Sequence, residues 1–230
     1  MPCYNEGQNL HLILQRFEEV RKGHSVELVM VNNGSTDDSA QILAGIFSAD
    51  PTPDLKLVTV PKNIGYGHGI LKGLENASGE FLSWTHADLQ TDLFDVIKGL
   101  HELETSDEPT KTLLRGRRLG RPFFDSFFTW GMGVISTIAL RTRLYDVNAQ
   151  PKMFHRNLLK EMDQAPLDFS LDLYILFLAH KLGWKQLELP VHFGVRKHGE
   201  AKGGGTLRGK YRLVKRTFSY IVKLRAKLKQ

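Results

Sequence analysis

Three times in its first hundred residues the chain repeats one order: a short apolar run, a polar turn, and apolar residues three to four apart. Val26 to Val31 runs into Asn32-Asn33-Gly34-Ser35-Thr36-Asp37-Asp38 and then Ile42, Leu43 and Ile46. Leu55 to Val60 runs into Pro61 to Gly69 and then Ile70, Leu71 and Leu74. Phe81 to Trp84 runs into Thr85 to Asp92 and then Phe94, Val96, Ile97 and Leu100. Short apolar runs of this kind read as strands, and strands that alternate with helices restrict the fold to a mainly parallel sheet covered by helices. At 230 residues the chain suits one large α/β domain. Ahead of the first repeat, Leu10, Ile13, Leu14, Phe17 and Val20 share one helix face, with Asn5 as its expected cap, Glu6 in its first turn and Gly23 at its end.

Ligands of such sheets lie beyond the carboxyl ends of the strands, so the polar turns are the places to look. The turn from Asn32 to Asp38 offers backbone N–H groups and short polar side chains at a helix N-terminus. Gly65, Gly67 and Gly69 are spaced G-x-G-x-G rather than G-x-G-x-x-G and follow a later strand, which argues against a nicotinamide or flavin site. Ser83-Trp84-Thr85-His86-Ala87-Asp88-Leu89-Gln90-Thr91-Asp92 drives an apolar strand into a cluster of oxygen-bearing side chains. Such oxygens hold a hard divalent cation, which keeps several waters and bridges substrate phosphates; equally, Asp88 or Asp92 would cap the next helix.

The second half reads differently. Glu104 to Pro109 is the expected seam between subregions, and Lys111 to Leu114 a strand that ends in Arg115-Gly116-Arg117-Arg118-Leu119-Gly120-Arg121. Four guanidiniums in seven residues suit phosphate, whose oxygens Arg grips bidentately, or else make a solvated basic loop. Residues 122–140 are crowded with aromatics, with Asp125 as their only charge, and read as core or as a membrane-interface helix. Asp146 to Lys152 is a polar link into a short helix, Phe169 to Leu182 a helix buried nearly all round, and Leu187 to Phe193 a last strand. The single cysteine, Cys3, excludes a disulfide framework and suits a reducing compartment. Polar residues from Asn5 onward leave no expected signal peptide, and no apolar run reaches eighteen residues.

Charge is unevenly shared. Residues 196–230 carry twelve Lys and Arg against one acid, Glu200, a net +11 that leaves residues 1–195 at −5 out of the chain's +6. Leu207, Tyr211, Val214, Phe218, Ile221 and Leu228 form a stripe in that tail, with Arg208, Arg212, Lys215, Arg216 and Lys223 on the remaining surface. A basic amphipathic helix of this kind binds an anionic membrane surface or packs on the body. No nucleic-acid motif accompanies it, so no nucleic-acid partner is expected.

Pro2-Cys3-Tyr4-Asn5-Glu6, Asn32-Asn33-Gly34-Ser35-Thr36-Asp37, Asn63-Ile64-Gly65 and Ala87-Asp88-Leu89-Gln90, in that order, resemble the family 2 glycosyltransferases of GT-A fold. Arg115 to Arg118 and Arg196-x-x-Gly199-x-x-Lys202 are similar to their polyprenol-phosphate, dolichol-phosphate mannose synthase-like branch. The resemblance covers nearly the whole chain. It implies a Rossmann-like mixed sheet covered by helices, with a nucleotide-binding half (1–105), an acceptor-binding half (106–205) and a membrane-interface helix (206–230). Pro2, Tyr4, Glu6, Asn32, Gly34, Ser35, Asn63, Gly65, His86 and Ala87 would surround a UDP- or GDP-sugar, and Asp88 with Gln90 would meet Mg²⁺ or Mn²⁺. Arg117, Arg196 and Lys202 would position a polyprenyl phosphate, which is already anionic and needs no base. A hydroxyl acceptor, as in surface polysaccharide synthesis, would need one, with Asp172 or Asp168 as candidates. The implied enzyme is metal-dependent and inverting, cytoplasmic and peripheral on the inner face of a membrane, reached through 206–230 and 122–140. The other class of reading is a non-catalytic nucleotide-sugar or membrane-binding module.

The sequence departs from that pattern at several points. His86 stands where the family usually has Asp, Asn32 also replaces an Asp, Ala201 a Ser, and Asn148 to Lys152 a Thr-Ser-Gly-Phe type of segment. The family also has a hydrophobic strand just before its Pro-x-Tyr-Asn-Glu motif. That first strand is expected to be missing here, leaving its neighbours short of ladder partners.

Overall fold

A computed structural model describes residues 1–49, 52–120, 146–198, 215 and 218–225. The expected aromatic helix at 122–140, Lys202 and most of the tail lie outside these residues.

The three anticipated repeats form as read. β1 (Pro2–Cys3), β2 (Leu28–Asn33) and β3 (Leu55–Val60) make one sheet in that order, all parallel. The helices α1 (Gly7–Val20), α2 (Ser39–Ala49) and α3 (Tyr66–Asn76) follow these strands in turn. β4 (Phe81–Trp84) leads to α4 (Phe94–Glu104). It belongs to a second sheet with β5 (Thr112–Leu119), β6 (Lys152–His155) and β7 (Lys185–His192), in the order β4-β6-β5-β7. β6 runs antiparallel to both neighbours, whereas β5 and β7 are parallel. α5 (Leu171–Lys181) is the helix expected to be buried, and eight of its eleven residues are, because its apolar residues cover every side.

Three elements differ from the sequence expectation. Arg115, Gly116, Arg117 and Arg118 are not a loop after a strand but part of β5, so pleat alternation puts Arg115 and Arg117 on one face and Arg118 on the other. Lys152 is not the end of a polar link: it opens β6, the strand between β4 and β5, and the expected short helix is the 3₁₀ turn Arg156–Glu161 that follows. Asn5 does not cap α1; Glu6 holds that position, and Asn5, at φ +55°, turns its side chain to Thr36 instead.

The first strand is present as a stub. Pro2 and Cys3 pair with Val31 and Asn32, and the Met1 amine donates to Val29 O at 2.7 Å, so Met1 enters the ladder opposite the core of β2. Upstream in that direction lies a cavity of about 390 Å³, walled by Leu28 and Val29 on one side and Phe81 to Thr85 on the other. Alternation along the two strands turns the backbone of Val29, Phe81 and Ser83 toward this slot, since Leu28 N–H bonds to Asp54 O on the β3 side and Glu80 O accepts from Arg156 on the β6 side. The slot lies between the two sheets, with backbone of β2 and β4 turned toward it. Burial of the Met1 amine beside it pushes the amine's pKa down to about 6.

Part of the tail stripe is core. Within the helical residues 218–225, Ile221 and Leu224 are buried among residues of α3, β4 and α5, while Phe218 and Val222 on the same helix are about half exposed. Among the described residues, no helix is long and apolar enough to cross a membrane.

Candidate functional site

The four polar turns meet at the carboxyl ends of β1 to β4. The first two are laced together: Asn5 N–H donates to Ser35 Oγ at 3.2 Å, Thr36 N–H to Asn5 Oδ1 at 2.8 Å, and Glu6 N–H to Ser39 Oγ at 3.1 Å. Asn32 is buried at the end of β2 and accepts from Ser35 N–H at 3.1 Å, so here it shapes the turn with its side-chain oxygen. The third turn is closed by glycine. A Cβ on Gly34 would lie 2.3 Å from Asn63 N, and one on Gly65, at φ +149°, would lie 2.1 Å from Leu167 O. Neither position accepts a side chain, which accounts for both glycines without any ligand. Asn63 and Asn33 fix Gly65 from its two sides, at 3.0 Å to its N–H and to its carbonyl.

The fourth turn carries the acid. Asp88 is buried; its Oδ1 accepts from Gln90 N–H at 3.1 Å and its Oδ2 from Arg196 at 2.9 Å. The other Arg196 nitrogen reaches Glu6 Oε1 at 3.2 Å, so one guanidinium bridges carboxylates from the first and fourth turns. Burial raises the Glu6 carboxyl and Asp88 adds repulsion, against the hydrogen bond from Asn9 and the charge of Arg196, which lower it. Gln90 anchors the segment that brings Arg196 in: its Nε2 donates to Gly194 O at 3.1 Å and its carbonyl accepts from Gly194 N–H at 2.8 Å. Leu89 sits between these residues at φ +57°, a conformation that a leucine holds only when its neighbours impose it.

This geometry fits a hard cation. Two carboxylates already converge on one positive group, and among the described residues no three His, Cys, Asp or Glu side chains make a closed metal cage. A Mg²⁺-like ion wants that arrangement, with one or two carboxylates and the rest of its shell from water and phosphate. Asp92, the alternative cap, does cap: its Oδ1 accepts from Phe94 N–H at 2.9 Å while Arg16 pairs with it from α1.

An aromatic wall stands beside the acid. Tyr66 stacks on Phe169 at 4.5 Å and on His86 at 5.7 Å. Burial pushes the His86 imidazole below its ordinary range despite the nearby Asp88 and Asp172 carboxylates, which favours a neutral ring where the family usually has Asp. Behind the wall, Lys152 and Asp172 form a fully buried ion pair at 2.8 Å. Asp172 Oδ1 also accepts from Trp84 Nε1 at 3.3 Å and Gln150 Nε2 at 3.0 Å, and Gln150 reaches the Tyr66 hydroxyl at 3.0 Å. Asp168 lies at the N-terminal end of α5, where its Oδ1 accepts from Ser170 N–H at 2.8 Å. Lys152 had no signal in the sequence, since a lysine after a proline in a polar stretch reads as surface.

The arginines of β5 are paired with acids. Arg115 is buried against Glu188 at 2.6 Å, Arg118 grips Asp146 and lies over the Phe193 ring, and Arg117 stands 3.6 Å from Glu188 with about two fifths of its side chain exposed. The expected set therefore divides. Asp88, Gln90, Glu6, His86 and Arg196 converge, Asn32, Gly34, Ser35, Asn63 and Gly65 build the adjoining turns, and Arg117 lies on β5 in the second sheet.

Known proteins agree with this architecture. Residues 1–107 match the model of the family "Glycosyl transferase family 2". Over 229 residues the chain is 26% identical to a dolichol-phosphate mannosyltransferase of Pyrococcus furiosus, covering 94% of this chain and 62% of that one. It is 25% identical to an undecaprenyl-phosphate 4-deoxy-4-formamido-L-arabinose transferase of Pseudomonas fluorescens, covering 88% and 58%. The chain thus spans about three fifths of each of these relatives. A crystal structure of glucosyl-3-phosphoglycerate synthase from Mycobacterium tuberculosis, in complex with Mn²⁺, UDP and phosphoglyceric acid, superposes with a TM-score of 0.73 at 20% identity, covering 97% of this chain and 76% of that one. The match, the order of the four turns and the mixed two-sheet architecture identify residues 1–107 as a domain of glycosyl transferase family 2, on a GT-A fold.

Proposed function

We propose that the chain transfers a sugar from a UDP- or GDP-sugar to a polyprenyl phosphate at a membrane surface. The observation that carries the proposal is the convergence of Asp88 and Glu6 on one cation at the mouth of the laced turns. The turns from Tyr4 to Glu6 and from Asn32 to Ser35 would take the base and ribose, and the floor between Asn63 and Gly65 the remainder of the nucleotide. Asp88, with Gln90 beside it, would hold Mg²⁺ or Mn²⁺. A divalent ion bound there supplies positive charge that neutralises the leaving diphosphate. His86, neutral against Tyr66, contributes a flat wall and no second negative charge, so the cation is held by fewer carboxylates than the family pattern provides.

The acceptor side supports a phosphate rather than a hydroxyl. Of the two carboxylates that a hydroxyl acceptor would call on as base, Asp168 accepts from Ser170 N–H at the start of α5, and Asp172 is buried against Lys152 with two further donors on the same oxygen. A carboxylate so engaged is a counter-ion more than a proton acceptor. A lipid phosphate needs no base: it attacks the anomeric carbon directly as an anion, the displacement inverts that carbon, and the nucleoside diphosphate departs. Arg117 and Arg196 are the described cations that would align it, together with Lys202. The exposed Phe218 and Val222 beside the basic tail suit a membrane surface, where each Lys or Arg contributes about 1 kcal/mol.

Transfer from radiolabelled GDP- and UDP-sugars to undecaprenyl phosphate in detergent, with and without Mn²⁺, tests this. Incorporation from one nucleotide sugar that needs Mn²⁺ and falls at least about a hundredfold in Asp88→Asn is expected. Full incorporation by Asp88→Asn would overturn the assignment of the site. Donor-independent retention of lipid, with no transfer from any nucleotide sugar, would favour a binding module.

A further inference from the structure

Arg196 does more in this structure than wait for an acceptor. Its two terminal nitrogens are engaged at 3.2 and 2.9 Å by Glu6 and Asp88, and its side chain is only 19% exposed. The backbone that delivers it is itself bonded to the acid turn, through both bonds between Gly194 and Gln90. A guanidinium in that position neutralises two largely buried carboxylates that would otherwise repel each other, and it occupies Asp88 Oδ2.

We propose that Arg196 is a latch: in the cation-free state it is the counter-ion of Asp88 and Glu6, and it leaves Asp88 when a divalent cation binds there. The inference rests on the reading that Asp88 holds the cation. A divalent cation on Asp88 Oδ2 would repel the guanidinium that bonds that oxygen at 2.9 Å, so the cation and Arg196 compete for it. The consequence lies on the acceptor side. Arg196 becomes available to an anionic acceptor only after the donor's cation is in place, and the segment 194–196 is the moving part. The latch therefore orders the two substrates, with the acceptor site charged by loading of the donor site.

Competition has a sign that a simple cation ligand or a purely structural arginine does not share. Direct Mn²⁺ binding, by electron paramagnetic resonance of free Mn²⁺ without nucleotide, should be compared for the unaltered chain, Arg196→Lys and Arg196→Gln. Removing the competitor should tighten Mn²⁺ at least about fivefold in Arg196→Gln, the lower end of ordinary site-to-site coupling, with Arg196→Lys in between. Equal or weaker binding by Arg196→Gln overturns the latch and leaves the donor-site reading standing. Binding by none of the three forms, even with UDP or GDP present, sinks the cation reading and the latch with it. Hydrogen exchange covers the case in which Arg196→Gln folds badly. In the unaltered chain Mn²⁺ should speed exchange at the Gly194 amide, which is bonded to Gln90 O, and in Asp88→Asn it should not; unchanged exchange in the unaltered chain at saturating Mn²⁺ also overturns the proposal.

Discussion

The slot between β2 and β4 makes a stability prediction with a number attached. A closed apolar cavity costs about 24 cal/mol per Å³, so about 390 Å³ would set a ceiling of about 9 kcal/mol; the slot is partly open to solvent and Glu27, Glu80 and Glu104 line it beside the apolar residues, so its own cost lies below that ceiling. An extension of four residues on Met1, built from Val and Ile, would lie in line with β1 and meet the backbone of Val29 on one side and of Phe81 and Ser83 on the other. Ordering four such residues costs roughly 1.5 kcal/mol each, about 6 kcal/mol in all, which leaves a net gain of at most about 3 kcal/mol. In a chain of this size that is a rise in Tm of at most about 6–12 °C. Calorimetry should compare the chain as it stands, the Val/Ile extension, and a Gly/Ser extension of equal length, with hydrogen exchange read at Val29, Phe81 and Ser83. The apolar extension should raise Tm and protect those three amides, and the Gly/Ser extension should do neither. Equal behaviour of the two extensions would refute the strand geometry, and a higher Tm without amide protection would refute the pairing.

The same end of the chain sets a pH dependence. The Met1 amine has a pKa near 6 when folded against an ordinary 8.0, so the unfolded state binds more protons between these values and stability rises with pH across that window, by up to about 2.7 kcal/mol. Urea unfolding at pH 5.5, 7 and 8.5 should show this rise, and the extended chains, which lack that amine, should lose it. Lys152→Met leaves Asp172 buried without its counter-ion and should cost about 3–5 kcal/mol, whereas Lys152→Met with Asp172→Leu should recover most of that loss. Additive losses in urea unfolding would mean that the two residues act independently. Gly65→Ala forces a side chain into Leu167 O at a positive φ and should lower stability by about 1–3 kcal/mol; a neutral result in thermal melts would show that the third turn gives way.

How far the sequence could be read follows from what each element buries. β2, β3 and β4 are apolar runs ending in polar turns, and such strands announce themselves. β6 does not. Its four residues, Lys-Met-Phe-His, are all buried, and a buried lysine at its start is intelligible only once Asp172 is known to face it. That partner is twenty residues away on another element, so no local pattern records it. The resemblance places Glu6 at the base and ribose and Asp88 at the metal; that one guanidinium joins them is not legible in it, because that group comes from residue 196, across the whole chain.

The arginines of β5 show the same limit in sharper form. Read as a loop, four guanidiniums in seven residues are a phosphate cradle. As a strand, alternation sends Arg115 and Arg117 toward Glu188 on the parallel neighbour β7 and Arg118 to Asp146. Arg115 is then a buried counter-ion, Arg118 holds the segment before β6, and Arg117, farthest from its acid and most exposed of the three, is the one whose charge is open to an incoming anion. The substitutions should separate accordingly. Arg117→Gln should raise the KM for lipid phosphate and leave Tm within about 1 °C, since exposed pairs contribute little. Arg115→Gln should lower Tm with KM unchanged, because it removes a buried guanidinium that packs in the sheet and pairs with Glu188 at 2.6 Å. If Arg115→Gln instead raises KM without destabilising, Arg115 meets the acceptor beside Arg117 on the same face of β5, and the division of labour argued from its burial is wrong.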